Sequence, residues 1–281
     1  RDVVVASATD GNHGRAVAWG AQVLGCRAVI YIHATVSEGR AEAIRAYGAE
    51  VRRIQGNYDD SVRHCAADAA AHGWQVVSDT SYDDYMSIPR DVMHGYMAMA
   101  EEAASQLPAG AIPSHVLVQA GVGGLAAAVC AAFWLRWGPK RPRFVVVEPV
   151  TADCCYRSAV AGRPTTTPGD LETVMAGLAA GEVSPLAWTI LSAGVDDFVT
   201  LSDDYAPRAM RLLAETKPAV VAGESGAAGL ACLIALQEHP SVASALGIGA
   251  GSRVMLIGSE GATDPALYEK LVGRKPETVG R

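Results

Sequence analysis

Short apolar runs rich in Val and Ile alternate along this chain with longer stretches whose apolar positions recur at helical spacing. That alternation predicts strands and helices in turn. Val3–Ser7, Ala28–His33, Glu50–Ile54 and Trp74–Ser78 read as strands. Between them Asn12–Leu24, Glu38–Tyr47 and Asp59–Ala71 read as helices, each followed by a glycine at 25, 48 or 73 that can end it. A second series follows: helix Arg90–Ser105, strand His115–Gln119, helix Leu125–Trp134 and strand Phe144–Glu148. A long irregular region then runs to Gly194, before strand Phe198–Leu201, helices Asp203–Glu215 and Ser225–Gln237, and strand Val254–Ile257. Repeated strand–helix units of this length predict an α/β protein of mostly parallel sheets covered by helices. Two lobes are expected, with a boundary near Tyr85–Pro89: a smaller one over 1–86 and a larger one over 87–281. Ligands of such sheets bind beyond the carboxyl ends of the strands, so candidate chemistry is sought there.

Composition narrows the function classes. Of 281 residues half are hydrophobic, and 23 basic against 30 acidic side chains give a net charge of −7 without a basic run. That balance argues against a nucleic-acid or anionic-membrane surface. No apolar stretch reaches the roughly 18 residues of a membrane span. The six cysteines, at 26, 65, 130, 154, 155 and 232, show neither C-x-x-C nor Cys/His spacing, so no metal site is expected. Reduced, cytoplasmic thiols are the expectation, with the Cys154–Cys155 pair read as separate packing residues. The chain opens at Arg1 and enters an apolar strand at once, so a preceding N-terminal segment is expected to be missing.

The stretch Val116–Leu125, VLVQAGVGGL, reads as strand, glycine-rich turn and helix. Glycines allow close backbone approach, and the free N–H groups of a first helical turn favour an anion. A phosphate cradle and a tightly packed turn without a ligand both fit this pattern. It is not G-x-x-x-x-G-K-[ST], and Ala126 departs from G-x-G-x-x-G, so a nucleoside triphosphate site is not expected. After the first strand comes Asp10-Gly-Asn12-His13-Gly14, where Asp10 or Asn12 can cap the helix and the other can face a ligand. His13 is expected on the helix surface or against a local backbone group. Asp79 and Thr80 follow a strand in the equivalent place, as do Asn57-Tyr58, and Ser259-Glu-Gly follows the last one. Ordinary turns would carry the same residues.

Together these motifs resemble the second fold type of pyridoxal-phosphate enzymes, which includes the serine and threonine dehydratases and the tryptophan synthase β chain. Within it the motifs resemble the 2,3-diaminopropionate ammonia-lyases more closely than the dehydratases. The resemblance rests on ATDGNHGRAVAW (8–19), NYDDSVR (57–63), SDTSY (78–82), IPRDVMHGY (88–96), QAGVGGL (119–125), VVEP (146–149), ADCCYRSAVAG (152–162), GESGAAGL (223–230) and SEGATDP (259–265), spread over nearly the whole chain. It implies pyridoxal 5'-phosphate as cofactor, with Asn12 at the phenolic oxygen and the backbone of Gly121, Val122, Gly123, Gly124 and Leu125 at the phosphate. Ser259 would serve the ring nitrogen, although Gly258 stands where the family commonly has Ser. Asp10, where hydroxyl-eliminating relatives carry Ser, would be the base, with Asp79, Tyr58 and Thr80 near the substrate's second amine. The implied reaction, part of amino-acid catabolism, eliminates ammonia and yields pyruvate; a homodimer is implied as well.

The family's Schiff-base lysine lies on a segment upstream of the ATDGNHG turn. This chain has only Lys140, Lys217, Lys270 and Lys275, in turns, a loop and a charged tail. A desolvated lysine beside the cofactor is therefore not expected from these residues, and the chain as given is expected to be inactive. A serine or threonine dehydratase and a non-catalytic, shortened relative that binds a phosphate-bearing ligand are the alternatives.

Overall fold

The computed structural model describes residues 3–9 and 11–280. The first series of elements is β1 (Val4–Ala8), α1 (Asn12–Leu24), β2 (Arg27–His33), α2 (Glu38–Arg45), β3 (Glu50–Ile54), α3 (Tyr58–His72) and β4 (Gln75–Val76). It forms a parallel sheet in the order β3-β2-β1-β4. Then follow α4 (Ser87–Ser105), β5 (His115–Gln119), α5 (Gly124–Trp137), β6 (Arg143–Pro149), α6 (Cys154–Ala161), α7 (Pro185–Gly194), β7 (Asp197–Leu201), α8 (Tyr205–Glu215), α9 (Ala228–Glu238), α10 (Pro240–Ala245), β8 (Val254–Leu256) and α11 (Pro265–Val272). The second sheet, also parallel, has the order β7-β6-β5-β8. The expected boundary run, 85–89, falls at the start of α4.

The inner strands β1, β2, β5 and β6 are buried on both faces, which is why they read as largely apolar runs. Side chains alternate across a strand. Val116, Val118, Phe144 and Val146 face α4, α5 and α7, whereas Leu117, Val145 and Val147 face α8 and α9. In the first sheet Ala28, Ile30 and Ile32 pack under α1 and α2, while Val29 and Tyr31 meet Cys65 of α3. Among the described residues no helix is long and apolar enough to cross a membrane.

The differences from the sequence reading have local causes. The strand expected over Trp74–Ser78 shrinks to Gln75–Val76, because the Tyr85 hydroxyl donates to the Val76 carbonyl (2.9 Å) and accepts the Ser78 N–H (3.0 Å) where a strand would continue. The region expected to be irregular up to Gly194 contains α6 and α7. Helix α6 has no side-chain cap of its own; Glu148, at the end of β6, accepts the N–H groups of Cys155 (2.8 Å) and Tyr156 (2.7 Å) instead. Helices α10 and α11 were not expected either. Yet α11 carries Asp264 accepting the Leu267 N–H, Pro265 in its first turn, and Gly273 at φ 86 beyond its end.

Candidate functional site

A cavity of about 310 Å³ opens where β1, β5 and β8 end at their carboxyl termini. One wall is the turn into α1. Its N-cap position is Gly11, which offers no side chain, and Asn12 is the first residue of the helix, so it does not do the capping for which it was considered. Thr9 does: its Oγ1 accepts the N–H of Gly11 (2.9 Å) and of Gly14 (3.0 Å). A Cβ on Gly14 would stand 2.3 Å from Thr9 Cγ2, which is why this turn needs glycine there. Asp10 lies outside the described residues; its neighbours Thr9 and Gly11 both line the cavity.

Asn12, the first residue of α1, also lines the cavity, and its amide is tightly oriented. Nδ2 donates to Glu260 Oε2 at 2.5 Å, and Oδ1 accepts the Thr263 hydroxyl at 3.4 Å. Those partners fix which end of the amide is nitrogen. His13, expected on the helix surface or against a local backbone group, instead donates from Nε2 to the Val77 carbonyl 64 positions away (2.9 Å), and it too borders the cavity.

The opposite wall is the glycine-rich turn. Gly123 takes the N-cap position of α5 in the left-handed region (φ 91), with no side-chain cap. The carbonyls of this turn face protein donors: the thiols of Cys154 and Cys155 approach Gly121 O (3.5 and 3.7 Å), Ser184 N–H donates to Val122 O (2.9 Å), and Ala127 N–H donates to Gly123 O (2.9 Å). With its oxygens turned to the protein, the turn has its N–H side left for the cavity, where the uncapped start of a 14-residue helix also ends. Gly121, Val122, Gly123, Gly124 and Leu125 all line the cavity. The glycines are nevertheless also packing residues: a Cβ on Gly123 would lie 2.8 Å from Leu191 Cδ1, and one on Gly124 would lie 3.3 Å from the Asp79 carbonyl. The cradle and the tight turn, opposed in the sequence reading, are the same structure.

The floor is completed by Ser259, whose hydroxyl accepts Gln119 Nε2 at 2.5 Å, while Gln119 Oε1 is buried without a partner. Asp79 lines the cavity within reach of Tyr58, whose hydroxyl donates to Asp79 Oδ1 at 3.5 Å. Thr80 does not line it; its N–H turns back to Ser78 Oγ (3.1 Å). Among the cavity residues that escaped the sequence reading are Tyr96 and Met99 of α4. Burial pushes the Tyr96 phenol well above its ordinary range, so it remains an O–H donor.

Also missed was a buried ion cluster behind Asn12. Arg40 donates from one guanidinium nitrogen to Glu224 Oε1 (2.6 Å) and Glu260 Oε2 (3.3 Å), with all three side chains at most 5% exposed. Burial raises the pKa of Glu224, opposed by Arg40 and reinforced by the charge of Glu260. The only sequence signal is glycine: a Cβ on Gly223 would lie 2.8 Å from Glu260 Oε1, and one on Gly226 would lie 2.9 Å from the Glu260 carbonyl. The GESG turn is bare so that this glutamate can enter.

The family model for "pyridoxal-phosphate dependent enzyme" matches residues 1–259. The chain belongs to this family. It is 42% identical to the diaminopropionate ammonia-lyase of Escherichia coli K12 over 274 residues, which are 95% of this chain and 69% of that protein. The fold superposes with a TM-score of 0.91 on the crystal structure of the Escherichia coli enzyme in complex with an aminoacrylate–PLP azomethine reaction intermediate, at 40% identity, covering 96% of this chain and 71% of the other. The apo form of the same Escherichia coli enzyme gives 0.82 at 35% identity, covering 97% and 68%. Two parallel sheets covered by helices are thus the architecture of the family as well as of this chain.

The residues present fit the family's cofactor. An uncapped helix start with its N–H groups toward the cavity suits a phosphate. The Asn12 amide keeps one N–H hydrogen beyond the one given to Glu260, and Gln119 Oε1 is a buried polar atom still lacking a partner. What the cavity does not contain is a lysine: Lys140, Lys217, Lys270 and Lys275 are all exposed and none lines it.

Proposed function

We propose that this site serves the pyridoxal-phosphate-dependent α,β-elimination of ammonia from 2,3-diaminopropionate, giving pyruvate and ammonia. The observation that carries the reading is one cavity that joins an N–H cradle without a side-chain cap to the Asp79 carboxylate and the Tyr58 hydroxyl. When bound, the cofactor supplies an electron sink for the bonds at Cα of an amino acid.

The chain's own residues do the rest. The N–H groups from Gly121 to Leu125 hold the phosphate, and the dipole of α5 adds to them. Asn12 donates to the phenolic oxygen, and Ser259, whose oxygen already accepts from Gln119, turns its own hydrogen toward the ring nitrogen. Asp10 removes the Cα proton. Asp79, with Tyr58 and the neighbouring Thr80, holds the second amine as an ammonium, the protonated state in which that nitrogen departs most readily. A neutral hydroxyl can donate one hydrogen bond to that carboxylate but lacks the ionic attraction of an ammonium, so Asp79 also sets the preference for a diamino acid. We place the division between a smaller lobe, 1–86, and a larger one, 87–281, at the start of α4, so that the cavity lies between them. A cytoplasmic homodimer completes the reading; six free cysteines support the compartment, and exposed Trp134 and Leu135 on α5 support a covered face.

The test is equilibrium binding to this chain. Pyridoxal phosphate should saturate it and bind more tightly than pyridoxal, because only the former reaches the cradle. With cofactor present, 2,3-diaminopropionate should bind in preference to serine, and Asp79→Asn should remove that preference. Borohydride treatment should leave no pyridoxyl-lysine at 140, 217, 270 or 275 above surface background, with pyruvate release near the level of free cofactor. Equal affinity for pyridoxal overturns the reading; stoichiometric labelling of one of those lysines together with real turnover overturns instead the expectation that none of the four serves the cofactor.

A further inference from the structure

Glu260 touches neither the phosphate cradle nor Asp79, yet it makes the shortest hydrogen bond to any cavity side chain assigned to the cofactor ring apart from the equal Gln119–Ser259 contact. We propose that Glu260 is a positioning residue, whose carboxylate sets the orientation of the Asn12 amide and thereby the donor that Asn12 offers inside the cavity. The inference rests on the reading of Asn12 as a ligand of the phenolic oxygen.

Four observations carry it. First, the Asn12 amide is read unambiguously, since a carboxylate can only accept and Thr263 Oγ1 donates to the other end. An amide rotated by half a turn would set its oxygen against the Glu260 carboxylate and lose that bond, although the Thr263 hydroxyl, donor or acceptor, could pair with either orientation. Second, Glu260 is itself immobile: Oε1 accepts the Ser225 N–H (2.8 Å), Oε2 accepts from Arg40 (3.3 Å), and the Gly223 N–H donates to the Glu260 carbonyl (3.1 Å). Third, the glycines at 223 and 226 stand where any side chain would collide with it, so the chain is shaped around this carboxylate. Fourth, the cluster spans the molecule. Arg40 sits on α2, which covers the first sheet, while Glu224 and Glu260 come from turns of the second. Asn12 follows the first sheet and is held by a group from the second, so the orientation of its amide reports that the two sheets are seated against each other.

A thermodynamic cycle separates positioning from general structural support. Pyridoxal phosphate affinity is measured by fluorescence for the parent chain, Asn12→Ala, Glu260→Gln and the double variant, with the absorption maximum of the bound cofactor as a second readout. Removing a charge-assisted hydrogen bond costs enough to weaken binding by roughly tenfold or more. Glu260→Gln should show that loss together with a shifted absorption maximum, because Gln presents an N–H where one of its two acceptors was needed. Glu260→Asp should recover part of it. The double variant should bind no worse than Asn12→Ala alone, since the orienting group has nothing left to orient. Losses that add in full overturn the inference while leaving Asn12 as a ligand; an Asn12→Ala variant that binds normally overturns the underlying reading instead. If Glu260→Gln fails to fold, Thr263→Val, which frees the other end of the amide without touching the ion cluster, should weaken binding and shift the absorption in the same direction. Unchanged binding and absorption there overturn the proposal.

Discussion

Glu148 should make the stability of this fold fall as pH rises. Its carboxylate ends β6 with no exposure, and its two oxygens accept the N–H groups of Cys155 and Tyr156 but face no cation. Burial raises its pKa from 4.5 to about 8, the backbone donors oppose that, and the charge of Asp153 adds to it. Between those two values the folded chain keeps a proton that the unfolded chain has released, so stability decreases with rising pH across this window and is level outside it. At about 1.4 kcal/mol for each pH unit the full loss approaches ~5 kcal/mol, a large part of the 5–15 kcal/mol that typically separates folded from unfolded chains. The assay is urea unfolding of the parent and Glu148→Gln at a series of pH values from 5 to 8. Gln stays neutral throughout, so the difference between the two proteins isolates Glu148 from every other titrating group. At pH 5 the variant should be the less stable, by roughly 1–3 kcal/mol, because one of its terminal atoms is now a donor facing a donor. Towards pH 8 the parent should lose that advantage. Parallel curves across the range would refute the argument. The same group anchors α6, whose thiols approach Gly121 O, so the loosened variant should also bind pyridoxal phosphate more weakly.

Two other perturbations test the packing around the site. Arg40→Met leaves Glu224 and Glu260 buried without their cation and should destabilise by roughly 3–5 kcal/mol in urea unfolding, with part recovered on adding Glu224→Gln; an unchanged midpoint would deny the cluster its structural weight. Gly123→Ala places a side chain at φ 91 and within 2.8 Å of Leu191 Cδ1, and should lower the stability of the cofactor-free chain by about 1–2 kcal/mol; full stability of that variant would show that glycine is needed there only by a ligand.

What could be read from sequence follows how local the determining interactions are. Helix α1 and strands β3 and β5 match the expected ranges to the residue, because an apolar run and a following glycine or turn define them within a few positions. Helix α11 was equally legible through Asp264, Pro265 and Gly273, and was passed over. Helix α6 was not legible: the group that satisfies its start, Glu148, lies seven positions before Cys155 on a strand, where its sequence context is an apolar run. The same holds for the site. The glycine turn, Asn12, Asp79 and Ser259 announce themselves at strand ends. Arg40 meets its glutamates across separations of 184 and 220 residues, and nothing in a helix reading EGRAEAIR marks one arginine as buried.

The two strand–turn–helix units that face each other across the cavity show how similar sequences acquire opposite roles. Both turns are glycine-rich, and both helices begin at a glycine N-cap without a capping side chain of its own. At α1 the preceding Thr9 folds back, and its hydroxyl oxygen occupies the N–H groups of Gly11 and Gly14. Two N–H groups of that start are thus satisfied from within, and on the proposed reading the unit acts through a side chain, the oriented amide of Asn12. At α5 the position corresponding to Thr9 is occupied by residues that turn no oxygen inward, and the carbonyls of Gly121 to Gly123 are drawn away by thiols, an N–H and the helix itself. Its N–H side faces the cavity, so on the proposed reading that unit acts through its backbone. On the proposed reading a phosphate belongs on one side of the cavity and a ring oxygen on the other, and what separates the two turns is a single hydroxyl, Thr9, two positions before the N-cap of α1.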